Sequence, residues 1–464
     1  MTSTLTETKA AGTLIPVSQL PFGRRHVYYL AVSSMEQLIG SAVAAVIGVM
    51  VPMIVLVGTP HLSSVMQGVA AAVSLVGIAL GSMVMGRLSD RFGYLFYFRL
   101  CPVLIMLGSA VELFAGNSLL LFLTGMFLAG FGVGGGYSLD SDYISELMPE
   151  SRRFICVGIA KATSAIGFII GAVGCYFIIC STDKATDWIY LMLIVGGLGL
   201  ITFLMRLRWW ESPAWLMAHG MPNKALNAAQ RFFGSGVTVT APQKTAIANS
   251  SWKAMFSREN MPRVILSGIP WACEGVGVYG IGVFLPMLVS ALGLMPADAH
   301  GLHRIELSVE ITVWINFFIL PGFILGLCYL RRLWHITMLT WGFYICAVGL
   351  LLLLLAHLLG WPVWTSIIGF FIFEIFLNAG PHLVTYVIPS QIYPIADRGA
   401  GVGIASMLGK VGAVIGVMIM PVMLHVGGII LVLIVSIAVM VMGALISTVF
   451  GPKVLLNPHR HRTA

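Results

Sequence analysis

Several acidic or basic side chains stand in or at the ends of long apolar segments of the chain, where ionisable groups are rare, and six of them are candidates for a functional site. They are Glu36, Asp140, Lys161, Glu274, Glu374 and Lys410. A charge inside the hydrocarbon of a membrane is costly, so such a residue usually pairs with another charge or faces a water-filled cavity. Each of the six is therefore a candidate for binding a solute or for carrying a proton.

The candidate proton carriers are Glu36, Glu274 and Asp140. A carboxyl group that is removed from water holds its proton more tightly than one in water, which is the property that a proton carrier needs. The alternative for Glu36 is a structural role, as a protonated carboxyl that is bonded to a neighbouring helix. Glu112 and Asp142 are interpreted as structural.

The candidate solute ligands combine charged groups with amide and aromatic side chains. They are Lys161, Glu274, Glu374, Lys410, Asn378, Trp271 and Tyr279. Lys161 could bind a carboxylate or another anion, and its structural alternative is an ion pair with Asp140 or Asp142. The alternative for Lys410 is packing near helix ends, and Glu374 could instead stabilise a broken helix. Trp314 and Tyr386 are further aromatic candidates for lining a cavity.

These side chains must be positioned by apolar segments of about 20 residues, which is the length that spans a bilayer as a helix. Twelve such segments are predicted, at 27–51, 63–85, 95–115, 118–141, 154–179, 188–207, 263–290, 309–330, 336–356, 362–386, 400–424 and 427–450. The predicted fold is an all-α membrane protein with two pseudo-symmetric bundles of six helices. The bundles cover 27–207 and 261–451, with tails at 1–26 and 452–464.

A polar linker at 208–260 separates the two groups of six segments. It is predicted to be a solvated tether on the membrane surface, with an amphipathic helix from Asn223 to Phe233.

Composition agrees with a membrane protein, because 58% of the 464 residues are hydrophobic and only 9% are charged. Soluble proteins have about 25% charged residues. The net charge of +8 comes from Lys and Arg in alternate loops, whereas the opposite loops hold only Lys184 and Arg304. Positive loops stay in the cytoplasm. The pattern predicts a bacterial inner-membrane protein with both termini in the cytoplasm, and it argues against nucleic acid as a partner.

Enzyme chemistry finds no support in the sequence. No phosphate-binding loop with its lysine, no catalytic triad and no His-Glu-x-x-His zinc motif occurs, and the seven cysteines have no metal-binding or disulfide spacing. The first twenty residues lack the pattern of a cleaved signal peptide. We expect a non-enzymatic protein without cofactor or metal, which functions as a monomer in the bilayer on a small-molecule solute.

A short charged stretch between the second and third segments reads Gly86-Arg87-Leu88-Ser89-Asp90-Arg91-Phe92-Gly93. The pattern G-x-L-x-D-R-x-G at this location resembles the signature loop of the major facilitator superfamily. The resemblance implies a transporter with its solute site between two halves at the midplane. It also implies a cytoplasmic gate that contains Gly86, Asp90, Arg91 and Gly93.

The two halves repeat this arrangement. The tract 145–153, with Glu146 and Arg152, follows the fourth segment, and the tract 390–399, with Arg398, follows the tenth. These three residues are assigned to the same gate. Asp90 and the arginines of its loop are expected to latch the halves together in the outward-open state.

Three further tracts narrow the resemblance. The glycine-rich run from Gly130 to Tyr137, the tract Glu211-Ser212-Pro213-Ala214-Trp215-Leu216 and the region from Gly380 to Gly399 resemble the sugar porter and phosphate:proton symporter branches. The glycine run is interpreted as small residues that let helices approach closely.

This chain differs from those branches at positions where their members bind the solute and the proton. An arginine of sugar porters, which pairs with an acid in the first helix, is replaced by Met126, so Glu36 is expected to lack its partner. The aspartate of phosphate symporters is replaced by Gly136. Glutamines that hold sugars are replaced by Lys161 and by Cys273-Glu274, and an asparagine by Tyr279.

We therefore predict a secondary active transporter that imports a small charged or zwitterionic solute, such as a carboxylate or an aromatic acid, together with a proton. The alternatives to proton coupling are a sodium gradient and facilitated diffusion. The alternatives are a proton-driven efflux antiporter of drugs or metabolites, a sugar or polyol transporter, and a transporter-like solute sensor. The fifth segment lacks the G-P-x-x-G kink of many antiporters, and the linker and short tails offer a sensor little partner surface.

Overall fold

The computed structural model describes residues 15–182, 184–239, 256–296, 298–330, 334–393 and 398–455. Within these ranges, eleven helical segments are long and apolar enough to cross a membrane. The last of them, Gly401–Val454, is 54 residues long and contains the non-helical Gly428. Since about 20 residues suffice for one crossing, this segment holds two, and the predicted fold of twelve membrane helices is confirmed.

In the first half and the beginning of the linker, the described residues form nine α-helices. They are α1 Arg24–Val32, α2 Met35–Val57, α3 Ser64–Phe92, α4 Tyr94–Leu113, α5 Leu119–Leu147, α6 Arg153–Thr182, α7 Met192–Arg206, α8 Pro213–Ala218 and α9 Pro222–Phe233. The first crossing combines α1 and α2. We call the end of the molecule that carries α8 and α9 the linker end, and the opposite end the far end.

Eight further α-helices lie in the described part of the second half. They are α10 Met261–Gly275, α11 Leu285–Ala291, α12 Gly301–Phe317, α13 Ile319–Tyr329, α14 His335–Leu359, α15 Val363–Ala379, α16 Pro381–Ile392 and α17 Arg398–Leu455. The seventh crossing is irregular, because a π-helical turn at Val276–Ile281 follows α10. The tenth breaks at Gly380, where Pro381 starts the next helix. The eighth begins at Gly301, eight residues before the predicted start at 309, so Arg304 is helical.

The signature loop is a tight turn between α3 and α4. Gly93 has a φ of 103°, and a Cβ at this position would lie 2.6 Å from Oε2 of Glu211. The Glu211 carboxylate accepts hydrogen bonds from the backbone N–H of Tyr94 and Leu95 at 2.8 and 3.2 Å. An acid at a helix N-terminus satisfies otherwise unpaired N–H groups. Gly93 therefore makes room for the residue that caps α4.

The linker packs against the first half. Helix α9 covers the segment from Asn223 to Phe233, and the Tyr29 hydroxyl donates a 2.5 Å hydrogen bond to the Phe232 carbonyl. The Phe232 ring packs edge-on against Trp209. A short parallel pair of strands, β1 Ile15–Pro16 and β2 Val237–Thr238, ties the N-terminal tail to the linker. The expectation of a solvated tether is therefore wrong for this part of the linker.

Glycines let helices approach closely in both halves of the molecule. A Cβ at Gly130 would lie 2.1 Å from the carbonyl oxygen of Ser74 on α3. The two halves also meet: a Cβ at Gly48 would lie 1.9 Å from the Val283 carbonyl oxygen, in the far part of the bundle. Near the linker end, a Cβ at Gly158 would lie 2.9 Å from the Leu327 side chain. The two halves thus contact each other both in the far part of the bundle and near the linker end.

Candidate functional site

Two lysines from opposite halves face the centre of the molecule. Lys161 lies on α6 and Lys410 on α17, and Glu274, near the end of α10, attracts both ammonium groups. The Lys410 Nζ atom is 5.2 Å from the centre of the Tyr279 ring and 5.2 Å from that of Tyr137. The structure therefore brings together four of the predicted ligands: Lys161, Glu274, Tyr279 and Lys410.

Neither lysine has a fixed counter-ion. Within the described ranges, the ion pairs shorter than 4.0 Å involve Arg206, His303 and His382 as the basic partners, and neither Lys161 nor Lys410 is among them. A buried ammonium needs an anionic or carbonyl partner to offset its lost hydration. The two ammonium groups, which Glu274 attracts without an ion pair shorter than 4.0 Å, are therefore candidates for binding an anionic solute.

Aromatic rings border the lysines. The Lys161 Nζ atom is 6.0 Å from the centre of the Tyr386 ring, which packs edge-on against Trp271 at 5.9 Å. The Tyr386 hydroxyl hydrogen-bonds Ser141 at 2.7 Å and so joins α16 to α5 of the other half. Trp314, in contrast, is 64% exposed. The expectation that Trp314 lines a cavity is wrong, because its side chain points out of the bundle.

A small cavity opens beside Lys161, on the side of α2 and α5. It is lined by Gln37, Asp140, Ser141, Lys161 and Tyr386, among others. The Oε1 atom of Gln37 is buried, and no residue in the described ranges hydrogen-bonds it. Gln37 is thus an additional polar group that faces the same space as Lys161.

Four polar side chains of the second half form a buried row, with Glu274 at one end. The Glu274 Oε1 atom lies 3.7 Å from Nε2 of His382, and the His382 Nδ1 atom is 2.9 Å from Oδ1 of Asn378. The Asn378 amide donates to the backbone carbonyl of Glu374 at 2.7 Å and to its carboxylate at 3.3 Å. The predicted residues Glu374 and Asn378 therefore belong to a row that ends at Glu274.

A second charged cluster lies in the first half, nearer the linker end. Arg206, the last residue of α7, donates hydrogen bonds to both carboxylate oxygens of Glu36 and, at 3.0 Å, to Asp140. Its guanidinium carbon lies 3.4 Å from the centre of the Phe98 ring. The expectation that Glu36 lacks a basic partner is wrong, since the arginine comes from α7 instead of the fourth helix. Asp140 is likewise paired with Arg206 and not with Lys161.

Gly136 provides the room for this cluster. A Cβ at Gly136 would lie 2.0 Å from the Cγ atom of Glu36. The aspartate that phosphate symporters carry at this position would therefore occupy the place of the Glu36 side chain. The carboxylate is supplied here by α2, and its arginine by α7.

The gate candidates have varied surroundings. Ser212 of the linker donates a hydrogen bond to the Glu146 carboxylate, and the exposed Arg152 lies over the Phe22 ring at 5.5 Å. The exposed Arg91 lies over the adjacent Phe92 ring. A Cβ at Gly86 would lie 3.3 Å from the hydroxyl oxygen of Ser138. The side chains of Asp90 and Arg398 lie outside the described part of the structure.

Sequence reasoning missed Arg206, His382, Gln37 and Tyr137 as residues of these clusters. In the sequence, Arg206 looks like one of the basic residues of the positively charged loops. In the structure, it is the last residue of α7. His382 lies within the predicted tenth segment, so the criterion that selected the carboxylates and lysines would have selected it as well.

Comparison with known proteins places the whole chain in one family. Residues 15–461 match the model of the family described as "Sugar (and other) transporter". The inner membrane metabolite transport protein YgcS of Escherichia coli is 26% identical over 96% of this chain and 95% of its own length. The niacin transporter NiaP of Acinetobacter baylyi is 24% identical over 88% of this chain and 89% of its own length.

Solved structures agree on the fold. The xylose transporter XylE from E. coli, in a partially occluded inward open conformation, superposes with a TM-score of 0.76 at 19% identity, covering 91% of this chain and 97% of that chain. The bound form described as a proton:xylose symporter gives a TM-score of 0.71 at 18% identity, covering 90% and 94%. Together with the family match, these findings show that the chain is a multi-pass membrane transporter, a member of the sugar (and other) transporter family of the major facilitator superfamily.

Proposed function

We propose that this transporter imports a small organic anion together with a proton, and that the anion carries a carboxylate on a planar ring. The observation that supports this proposal is the pair of ammonium groups, Lys161 and Lys410, which come from opposite halves, lie close enough to repel each other and form no ion pair with a described residue. The rings of Tyr279, Tyr386 and Trp271 border the same space. A carboxylate would neutralise the lysines, and its ring would stack between the aromatic side chains.

The relatives point to several solute classes. A niacin transporter is among them, and niacin is an aromatic carboxylic acid. Others are described as a putative polyol transporter of Arabidopsis thaliana and a putative inorganic phosphate transporter of rice. A neutral polyol does not need two ammonium groups, and a buried charge without its partner is costly. The two charges therefore favour an anion over a polyol, and the aromatic rings beside them favour an aromatic acid over inorganic phosphate.

The mechanism that we propose is alternating access by the bundles 27–207 and 261–451, joined by the linker 208–260. Solute and proton bind together, so that the empty protonated carrier seldom crosses between its two states. Both termini lie in the cytoplasm, the transporter acts as a monomer, and the linker end carries the gate of Asp90, Arg91, Glu146, Arg152 and Arg398. The Arg206 cluster holds Glu36 and Asp140 as a candidate proton site of the first half.

Lys161→Gln tests the proposed charge selection. We expect the affinity for nicotinate or benzoate to fall by about tenfold to a hundredfold, which corresponds to about 1.5–3 kcal/mol for a hydrogen bond to a charged group. Nicotinamide, which has the same ring without the charge, should bind the variant and the wild type alike. Binding is read from the rise in melting temperature of the purified protein across a ligand titration.

The matched control is Lys184→Gln, because Lys184 is exposed at the far end. Lys184→Gln should leave the ligand ranking, which is the order of affinities for nicotinate, benzoate and nicotinamide, unchanged. If Lys161→Gln lowers the melting temperature of the empty protein and leaves the ranking intact, Lys161 is structural. Stabilisation of the wild type by xylose or a polyol, and by no carboxylate, would favour the sugar transporter instead.

A further inference from the structure

The hydrogen bonds of the buried row that ends at Glu274 assign the tautomer of His382. The Asn378 Nδ2 atom is 2.7 Å from the backbone carbonyl oxygen of Glu374, so this atom must be the N–H donor and Oδ1 must face His382. Since Oδ1 is an acceptor, the His382 Nδ1 atom at 2.9 Å must carry a proton. A neutral His382 therefore presents the lone pair of Nε2 on the side of Glu274.

The Nε2 atom of His382 is buried without a hydrogen-bond partner in the described ranges. His382 and Glu274 are each only 3% exposed, and Nε2 is 3.7 Å from the Glu274 carboxylate. A lone pair and an ionised carboxylate repel each other, whereas one proton between them gives either a neutral hydrogen bond or an ion pair. A favourable contact between His382 and Glu274 therefore requires one proton.

We propose that Glu274 and His382 form a single proton-binding site, and that Asn378 is the residue that positions it. When a proton enters, it binds a Glu274 oxygen, and the resulting carboxylic acid donates a hydrogen bond to the Nε2 lone pair of the neutral imidazole. The pair thereby gains one positive charge. When the proton leaves, Glu274 becomes a carboxylate opposite a neutral imidazole.

The charges around this pair link the proton to the solute. The ammonium groups of Lys161 on α6 and Lys410 on α17 interact electrostatically with both Glu274 and His382. The carboxylate of Glu374 accepts a hydrogen bond from the amide of Asn378. Without the proton, the Glu274 carboxylate serves as the nearby anion of both lysines. With the proton, the lysines lose that anion and are available to the solute. Proton and anion thus strengthen each other's binding by the same factor.

A cavity lined by Asn316, Glu374, Asn378 and His382, among others, lies beside the row. It is about the size of one water molecule. A water molecule in this cavity can contact His382 and Glu374. The end of the row at Glu374 lies in the buried interior of the second half. The site therefore stores a proton next to the solute and is distinct from the Arg206 cluster of the first half.

This proposal rests on the proposed proton-coupled import, and its test needs no solute. Infrared difference spectra of the purified wild-type protein are recorded between alkaline and acidic pH, and the carboxyl C=O stretch is followed. We expect one carboxyl band to be lost in Glu274→Gln. In His382→Gln the same band should persist, and its midpoint should move to lower pH by about one unit, which is a tenfold weaker binding of the proton.

Asn378→Ala is the second variant, because it releases the His382 tautomer and leaves both proton-binding groups in place. It should shift the midpoint of the band without removing it. Glu112→Gln is the matched control for a buried carboxyl on α4, and His303→Gln is the control for an exposed histidine on α12. Both controls should leave the band and its midpoint unchanged.

The proposal is overturned if the band survives in Glu274→Gln, or if its midpoint is the same in wild type, His382→Gln and Asn378→Ala. Loss of the band in Glu274→Gln with an unchanged midpoint in the other two variants would leave Glu274 as a proton site that acts without His382. None of these results depends on which solute binds, so a failure of nicotinate binding is recognised separately.

Discussion

Arg206→Met is expected to lower the free energy of unfolding by about 3–5 kcal/mol, because it leaves two carboxylates buried without their arginine. Glu36 and Arg206 are both 0% exposed and Asp140 is 2% exposed, so water cannot replace the lost partner. Methionine keeps the apolar length of the side chain. The measurement is equilibrium unfolding of the purified protein in mixed micelles.

Two further variants separate charge from packing. Adding Glu36→Gln and Asp140→Asn to Arg206→Met removes the uncompensated charges and should recover much of the loss, since replacing a whole buried ion network is often nearly neutral. Arg208→Met is the control for an exposed arginine two residues away. Wild-type stability of Arg206→Met, or no recovery in the triple variant, would show that the cluster does not hold these helices together.

Glu274→Gln is expected to abolish accumulation of the solute and to leave exchange intact. The amide keeps the shape of the side chain and mimics the protonated acid, so the lysines stay available and the anion still binds. A carrier that cannot release a proton at this site can exchange one solute for another but cannot be driven by a proton gradient. The measurement is uptake into proteoliposomes, compared with counterflow in the same vesicles.

The control for the second prediction is Glu374→Gln, which removes a carboxylate from the far end of the same row. It should reduce accumulation less than Glu274→Gln, because Glu374 contacts neither lysine in the structure. If Glu274→Gln accumulates the solute to the wild-type level at every pH tested, Glu274 is a structural residue and the site carries no proton.

The architecture could be predicted from the sequence because its signals are local. Apolar runs of about 20 residues predict crossings whatever their partners, and G-x-L-x-D-R-x-G marks one turn. The break at Gly380 has a local signal in Gly380-Pro381. The irregular turn at Val276–Ile281 is harder to place, because a π-helical turn has no strong local signal. The docking of α9 on Tyr29 and Trp209 depends on surfaces far apart in the chain.

The charged residues show where local reasoning ends. Glu274, Lys161 and Lys410 were found because each is costly in hydrocarbon wherever it points. The partner of Glu36 was missed, because the motif places its arginine on the fourth helix and this chain supplies Arg206, 170 positions later. A motif records the position of a residue in the sequence, whereas an ion pair requires only that two groups meet in space.

One departure from the family pattern, at Gly136, is explained by a contact in the structure. Gly136 lacks a side chain where Glu36 needs room, so the loss of one acid accompanies the placement of another. His382 meets the same criterion as the carboxylates and lysines, but that criterion does not indicate what a residue contacts. The unpaired Nε2 atom of His382 is visible only once Asn378 and Glu274 are placed around it.

The central claim is that a proton drives an anion through a site made by Lys161 and Lys410. The most direct measurement is uptake of labelled nicotinate into proteoliposomes with acid outside, after subtraction of the passive entry into protein-free vesicles. We predict accumulation that a protonophore abolishes and that is lost in both Lys161→Gln and Lys410→Gln. Accumulation of labelled xylose by the wild type and by both lysine variants, with nicotinate uptake no greater than in protein-free vesicles, would contradict the account.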